Sequence, residues 1–268
     1  MAGPPHPAAG VRPDPGALLL CIRVPKCGSV SLVAGLEQAF ASKRIFYFPN
    51  TLDLDGRVSH LQRLRFCRAR LQNLYRHHGS FSMRAVCERI RRQATPGDLI
   101  MGGHVDFHTA QARIARPLKI ITLLREPVAR AYSEYHYMRQ SFLRKRRLNR
   151  FDASVLHKAA GRCDFDSYLD FLSAHREIYG DIACRYLGWD GTEDIERFST
   201  RDVFHWGALE QSGSFARGLA EKLGRSFSLP HANRVAVERS PVTPAQREKL
   251  ERIYAQDMIL YEWVRASG

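Results

Sequence analysis

Residues 21–32, "CIRVPKCGSVSL", gather the means to hold an anion within a few positions. Lys26 is a mobile positive charge, Gly28 lets the backbone approach a ligand closely, and Ser29 and Ser31 offer hydroxyls. An apolar run precedes them and a helix-like pattern follows, so the stretch reads as strand, loop and helix. In a parallel sheet such a loop lies at the carboxyl edge, and the next helix adds unpaired N–H groups and the positive end of its dipole. The strand would thus end in a phosphate cradle. It is not the loop of nucleoside triphosphatases, because G-x-x-x-x-G-K-[ST] is absent and the lysine precedes the glycine. Taken alone, the same residues also describe a tight strand-to-helix turn with an exposed lysine.

"LREPVARAYS" (124–133) offers a second anion site. Arg125 closes an apolar run, where a guanidinium needs an anionic partner. Ser133 lies eight residues on, a little over two helical turns, so the two face alike only if the chain enters the helix in a non-helical conformation. Pro127 suits such an entry, being tolerated in a first helical turn. A surface arginine and an unconnected helix serine are the alternative.

Positioning these residues requires a sheet with helices behind it. Residues 17–23 form a short apolar run of the kind buried on both faces, and 29–42 read as a helix. Strands are predicted at 44–48, 98–104 and 118–124, a largely helical arginine-rich stretch at 57–94, and a helix from Pro127. Helices are expected over 165–178 and 212–224, with a late strand and turn over 201–210. The last helix has Thr243 as N-cap, Pro244 in its first turn and Gln246 completing a capping box, and its apolar stripe runs from Leu250 to Val264. Strands alternating with helices predict an α/β fold, a central parallel sheet flanked by helices in a single domain.

The 268 residues are 44% hydrophobic and 25% charged, as in a soluble globular chain, and the length suits one large domain. The formal net charge of +14 favours an anionic partner: nucleic acid, anionic lipid, acidic polysaccharide or a phosphorylated cofactor. Six scattered cysteines without a C-x-x-C pair argue against zinc, so no metal is expected. A Cys163–Cys184 bridge stays open. The Pro- and Gly-rich residues 1–16 read as a disordered lead without a signal-peptide core, and no stretch reaches the roughly 20 apolar residues of a membrane span. A cytoplasmic protein is the default expectation.

"RVPKCGSVSL" resembles the 5′-phosphosulfate loop of sulfotransferases that use 3′-phosphoadenosine 5′-phosphosulfate, and "LLREPVARAYSEYHYMR" resembles their 3′-phosphate motif. The sequence is most similar to the carbohydrate branch typified by heparan sulfate and uronyl 2-O-sulfotransferases, with "RVPK", a "GHV" segment between the two motifs, "HWGALE" (205–210) and "DMILYEWV" (257–264) in the same order. The resemblance implies the P-loop-like sheet of that family over residues 17–268, with a basic loop over 144–164. It also implies a bacterial-type cytoplasmic enzyme, or a Golgi-lumenal catalytic domain if the chain is part of a longer protein.

By that resemblance Lys26 would stabilise charge on the oxygen between sulfur and phosphorus, while Cys27, Gly28, Ser29, Val30 and Ser31 wrap the 5′ phosphosulfate. Arg125 and Ser133 would hold the 3′ phosphate. His104, in "GGHVDFH", would be the general base, with His108 and Asp106 as weaker candidates, and Arg23 would orient the acceptor or the sulfuryl group. A saccharide acceptor, in one version acidic, would meet His108 and the basic run at Arg144, Lys145, Arg146 and Arg147. Asn233 and Arg234 would belong to a late loop over the cofactor. Two departures stand out: Val30 replaces a hydroxyl residue, and Gly102 stands where the 2-O-sulfotransferases carry a second histidine. The competing expectation is a non-catalytic polyanion-binding protein on the same fold. A kinase lacks its Walker lysine and an evident magnesium carboxylate, and no nucleic-acid partner is expected.

Overall fold

The unbroken apolar run near the start of the chain becomes strand β1 (Leu18–Cys21), whose side chains alternate between two separate cores. Leu18 and Leu20 enter one core with Ile120 and Leu124, whereas Leu19 and Cys21 enter the other with Ile121 and Leu123. A strand buried on both faces has no reason to alternate polar and apolar residues. The computed structural model describes residues 16–48, 83–144, 153–230 and 241–267.

Helix α1 (Ser29–Ala39) and strand β2 (Ile45–Tyr47) follow, then α2 (Met83–Gln93), β3 (Leu99–Met101), α3 (Phe107–Ile114) and β4 (Leu118–Leu124). The long helix α4 (Pro127–Arg144) leads to α5 (Val155–Arg162), α6 (Phe165–Ala174), the short α7 (Arg176–Tyr179), α8 (Ile182–Leu187) and α9 (Ile195–Asp202). Strand β5 (Val203–Ala208), a 3₁₀ turn (Leu209–Gln211), α10 (Ser212–Leu223), α11 (Pro244–Ile253) and α12 (Ala255–Ser267) complete the described chain. The five strands lie in the order β2-β3-β1-β4-β5, and every pairing is parallel. Helices cover both faces. Val86, Ile90, Ala110, Ile114, Leu260 and Val264 pack on one, and Leu32, Leu36, Phe215 and Leu219 on the other. Each such fully buried aliphatic side chain contributes about 2 kcal/mol.

The sequence reading needs four corrections. The segment expected as a basic loop over 144–164 contains α5, started by Ser154, whose hydroxyl accepts from the His157 N–H at 3.4 Å. The helix expected over 165–178 is interrupted at His175, whose Nδ1 donates to the Phe171 carbonyl at 2.9 Å and so competes with the backbone ladder. The predicted strand over 201–210 begins only at Val203, after α9 ends. The last helix, with its Thr243–Gln246 capping box as expected, breaks at Tyr254 into α11 and α12. The cause of that break is remote in sequence. Asp181 accepts from the N–H groups of Gln256 and Asp257 at 2.9 and 3.2 Å and so starts α12. Asp257 returns the contact, accepting from the Ala183 and Cys184 N–H groups at 3.1 and 2.9 Å to start α8. Cys163 and Cys184 are both free thiols. The lead over 1–15 and the helical expectation over 57–82 lie outside the described residues. No helix among the described residues is long and apolar enough to cross a membrane.

His205 on β5 is packed against Gly218, and its Nε2 lies 2.9 Å from the Phe215 carbonyl, which can only accept. Burial pushes its pKa from 6.5 down to about 4. The unfolded chain therefore binds a proton that the folded chain refuses between pH 6.5 and 4, and stability falls as pH falls through that window. His205→Gln keeps a donor for Phe215 but cannot titrate. Urea unfolding across this window is expected to show wild type losing up to about 3 kcal/mol more than the variant. Equal slopes would mean that His205 protonates normally in the folded protein.

Candidate active site

From β1 the chain passes to one side of the sheet order and from β4 to the other, although the two strands are hydrogen-bonded neighbours. Their carboxyl ends therefore border a crevice that no crossover fills, the usual ligand position in an open α/β sheet. Two bonds tie the exits together: the Ile22 N–H donates to Ile121 at 3.0 Å, and the buried Thr122 hydroxyl donates to the Ile22 carbonyl at 2.9 Å.

After β1 the backbone turns tightly through Lys26 (φ 65°) and Gly28 (φ 72°) into α1. A left-handed lysine costs about 1 kcal/mol, so the turn holds Lys26 in a conformation that side chains avoid. Gly28 has no such cost, and a Cβ there would lie 2.8 Å from Leu209 Cδ1. No side chain caps α1, and no acidic residue stands in its first turn. By contrast Asp106, Ser154, Asp164, Asp194 and Thr243 close the N-termini of α3, α5, α6, α9 and α11. An 11-residue helix with a glycine N-cap beside a lysine has the chemistry to meet an anion. Ser29 and Ser31 are half-buried on the first turn, and Val30 between them is 52% exposed. The Cys27 thiol turns away into the core, where burial pushes its pKa up to about 12, so only its backbone faces this turn.

At the end of β4, Arg125 and Glu126 stay outside the helix, which begins at Pro127. Arg125 is half-buried and forms no ion pair with a carboxylate among the described residues. Glu126 caps α4, accepting from the Ala129 N–H at 2.6 Å, and is paired with Arg247 at 3.0 Å. The Glu126 N–H in turn meets Glu210 Oε1 at 3.3 Å, and the other oxygen of Glu210 accepts from the Tyr261 hydroxyl at 3.0 Å. Ser133 is buried on α4. One turn further along, on the same helix face, stands Tyr137, and the Lys26 ammonium lies 4.2 Å from its ring centroid. The Cys27 thiol also touches the Arg125 backbone. Lys26 thus lies beside helix α4, one turn from Ser133, and Arg125 stands just before that helix begins.

His104 follows β3 and is half-buried. Its Nδ1 lies 3.1 Å from the Arg23 carbonyl oxygen, which can only accept, so Nδ1 carries the proton and Nε2 keeps its lone pair. Burial holds its pKa below the ordinary 6.5, partly offset by the Arg23 carbonyl and by the charge of Glu134. Tyr186 meets the ring edge-on at 6.2 Å. The Arg23 side chain is half-buried, and its Nε is buried without a hydrogen-bond partner among the described residues. Glu134 is held by Arg130, 1% exposed, at 3.0 Å, and the Arg130 guanidinium stacks over Tyr254 at 4.8 Å. Gly102 (φ 89°) explains one departure: a Cβ there would lie 2.8 Å from the Phe48 carbonyl oxygen, so no histidine fits without moving that backbone.

The remaining candidates lie further out. His108 is exposed on α3 with its ring against Gly188, and Asp106 is committed to capping α3, accepting from the Thr109 N–H at 2.8 Å. Glu37 accepts from the Tyr47 hydroxyl at 3.1 Å. Arg144 is exposed at the end of α4, whereas Lys145, Arg146, Arg147, Asn233 and Arg234 lie outside the described residues. Sequence reasoning missed Tyr137, Glu134 with Arg130, Tyr186, and the Glu210–Tyr261 brace. Only Arg130 and Glu134 carried a local signal, their four-residue spacing on a helix. Among the described residues no group of three or more His, Cys, Asp or Glu is placed to hold a metal ion.

No curated protein matches the sequence. Among solved structures, mouse sulfotransferase SULT7A1 complexed with PAP overlaps 92% of this chain and 86% of its own at 11% identity and a TM-score of 0.48, a level that adds no weight to the assignment. A family model described as the sulfotransferase domain matches residues 19–200, from β1 to within α9 and through every loop discussed above except that after β5. That match spans more than half of the chain, and the protein belongs to the sulfotransferase family.

Proposed function

We propose that the protein is an O-sulfotransferase that takes its sulfuryl group from 3′-phosphoadenosine 5′-phosphosulfate, acts on a hydroxyl of a saccharide, and uses His104 as general base. The observation that carries this reading is the approach of Lys26 to Tyr137, which sets the glycine-capped N-terminus of α1 beside the helix bearing Ser133. A nucleotide with phosphates at both ends needs two such anion sites, and the residues fit it. Helix α1 has no N-cap side chain and no acid in its first turn, and among the described residues Arg125 has no carboxylate of its own and the buried Arg23 Nε has no acceptor.

When bound, the donor supplies an activated sulfuryl group. Lys26 and the α1 N-terminus stabilise the negative charge that grows on the departing phosphate oxygen. Arg125 and Ser133 fix the other end and so the angle of approach. His104 Nε2, neutral because burial disfavours imidazolium, accepts the acceptor hydroxyl proton. The Arg23 guanidinium draws the sulfuryl oxygens or the acceptor into line while its carbonyl holds the His104 ring. The saccharide rests on the "RVPK" and "GHV" segments, on the exposed Arg144 at one end of α4, and on the +14 charge, which suits an acidic glycan. A non-catalytic polyanion binder would have no use for a tautomer-fixed imidazole beside the anion sites.

Adenosine 3′,5′-bisphosphate is expected to raise the melting temperature, and Lys26→Ala or Arg125→Ala to weaken its binding about 10- to 100-fold, each removing a charge-assisted contact. An undiminished shift in both variants would exclude these two loops as the nucleotide site. His104→Ala is expected to keep the bisphosphate shift while losing about 10²- to 10⁴-fold in transfer of labelled sulfate to desulfated glycans; full activity would remove His104 from the mechanism. Because His104 must be neutral to act and burial holds its pKa below 6.5, kcat/KM is expected to rise along an acid limb whose midpoint lies below that value. A limb at or above 6.5 would assign the proton transfer to another group.

A further inference from the structure

Positive charge gathers a second time at the opposite rim of the sheet. All strands are parallel, so the segments that precede them share one rim: Ala17 before β1, Lys43 and Arg44 before β2, Pro96 and Gly97 before β3, and Phe204 at the start of β5. The four residues of β1 alone separate that rim from Lys26 by about 13 Å. Two cavities open there, of about 530 and 230 Å³, and share Phe40 and Lys43 as a common wall. Lys43, Arg44 and Arg89 line the larger, and Lys43, Lys222 and Arg225 the smaller. Neither lining contains a carboxylate among the described residues.

These cations are held in place, and among the described residues none of them is paired with a carboxylate. Arg225 Nη1 donates to the Ala39 carbonyl at 3.0 Å and stacks over Phe40 at 5.0 Å. Arg44 donates to the Gln93 carbonyl, and Arg44 and Arg89 lie 6.0 and 5.9 Å from the Phe46 ring. The Nε of Arg89 is buried without a hydrogen-bond partner among the described residues. The Lys222 stem is exposed, but its ammonium turns inward to the Phe204 carbonyl at 2.9 Å, and loss of solvent there lowers its pKa. Carbonyl oxygens supply only partial charge. Five cations on two adjoining walls with no carboxylate in either lining among the described residues, one ammonium turned away from solvent, have the chemistry to bind an anion.

We propose that this amino-terminal rim is a second ligand site, taking a small organic anion: a phosphate or sulfate ester on an aryl or short alkyl body. The ester group meets Lys43, Lys222 and Arg225, and the body lies along Leu19, Phe40 and Phe204. The smaller cavity falls below the ~300–1,000 Å³ of drug-sized ligand sites, which limits the occupant to a compact molecule. The site is separate from the sulfuryl-transfer crevice and stands whether or not the donor assignment holds.

Phenyl phosphate, titrated calorimetrically with inorganic phosphate as the second arm, tests the assignment. Saturable binding is expected, with inorganic phosphate at least tenfold weaker because it leaves the apolar wall unused. Lys43→Ala and Lys222→Met are each expected to weaken phenyl phosphate about tenfold, with melting curves confirming the fold; Lys43 is exposed and its replacement leaves the core untouched. Protein saturated with adenosine 3′,5′-bisphosphate, which fills the loops at the other rim, is expected to bind it unchanged. No saturable binding up to about 10 mM, unchanged affinity in both rim variants, or loss on saturation with the bisphosphate would overturn the site. Equal affinity for the two phosphates would overturn the organic body.

Discussion

The parallel pairing of β1 with β4 is the constraint on which the site depends. Leu18 through Cys21 lie in register with Leu118 through Ile121, so the two chains leave the sheet side by side and then part in opposite directions. A hydrogen-bonded neighbour brings the exits within about 5 Å of one another, closer than the ends of a nucleotide. Both strands are apolar on both faces, so each is confined to the centre of the sheet, covered by a core on either side.

The two helices that begin at this edge are treated differently. Helix α4 is completed by a glutamate that is itself held by an arginine, whereas α1 starts from a glycine N-cap, with no acid in its first turn, behind a strained lysine. The contrast separates a scaffold from a binding surface built from the same element. Beneath them the ion pair of Arg130 and Glu134 is enclosed by Tyr254 and by the helix carrying Asp257. Breaking such a pair costs more than forming it gains, so its role is to fix α4 in one orientation.

What the sequence made legible was local. Two apolar runs, a glycine turn, Pro127 and the Thr243–Gln246 capping box each bear their meaning within a few residues, and the sheet, both loop positions and the helix starts follow from them. The second half of the site was not legible because its contacts cross the chain: Lys26 meets Tyr137, His104 meets the Arg23 carbonyl, and Glu210 meets Glu126. The break at Tyr254 is of the same kind, since the apolar stripe runs on across it and the carboxylate that starts the next helix is Asp181. Helix α5 was hidden by the basic run before it, although Ser154 and the apolar Ala160 mark it. Gly102 is held to glycine by the Phe48 backbone, a reason that no motif supplies.

The exchange of carboxylates between Asp181 and Asp257 ties the last described helix to the middle of the chain. Helix α8 carries Tyr186, the ring against which His104 rests, yet its first turn is finished by a residue of α12. A chain shortened before α12 would lose more than a peripheral segment: the platform behind the imidazole would fray with it. The thirteen residues of α12 are therefore a remote buttress of the His104 ring, and a tag or fusion that pulls α12 away would loosen a side chain it never touches.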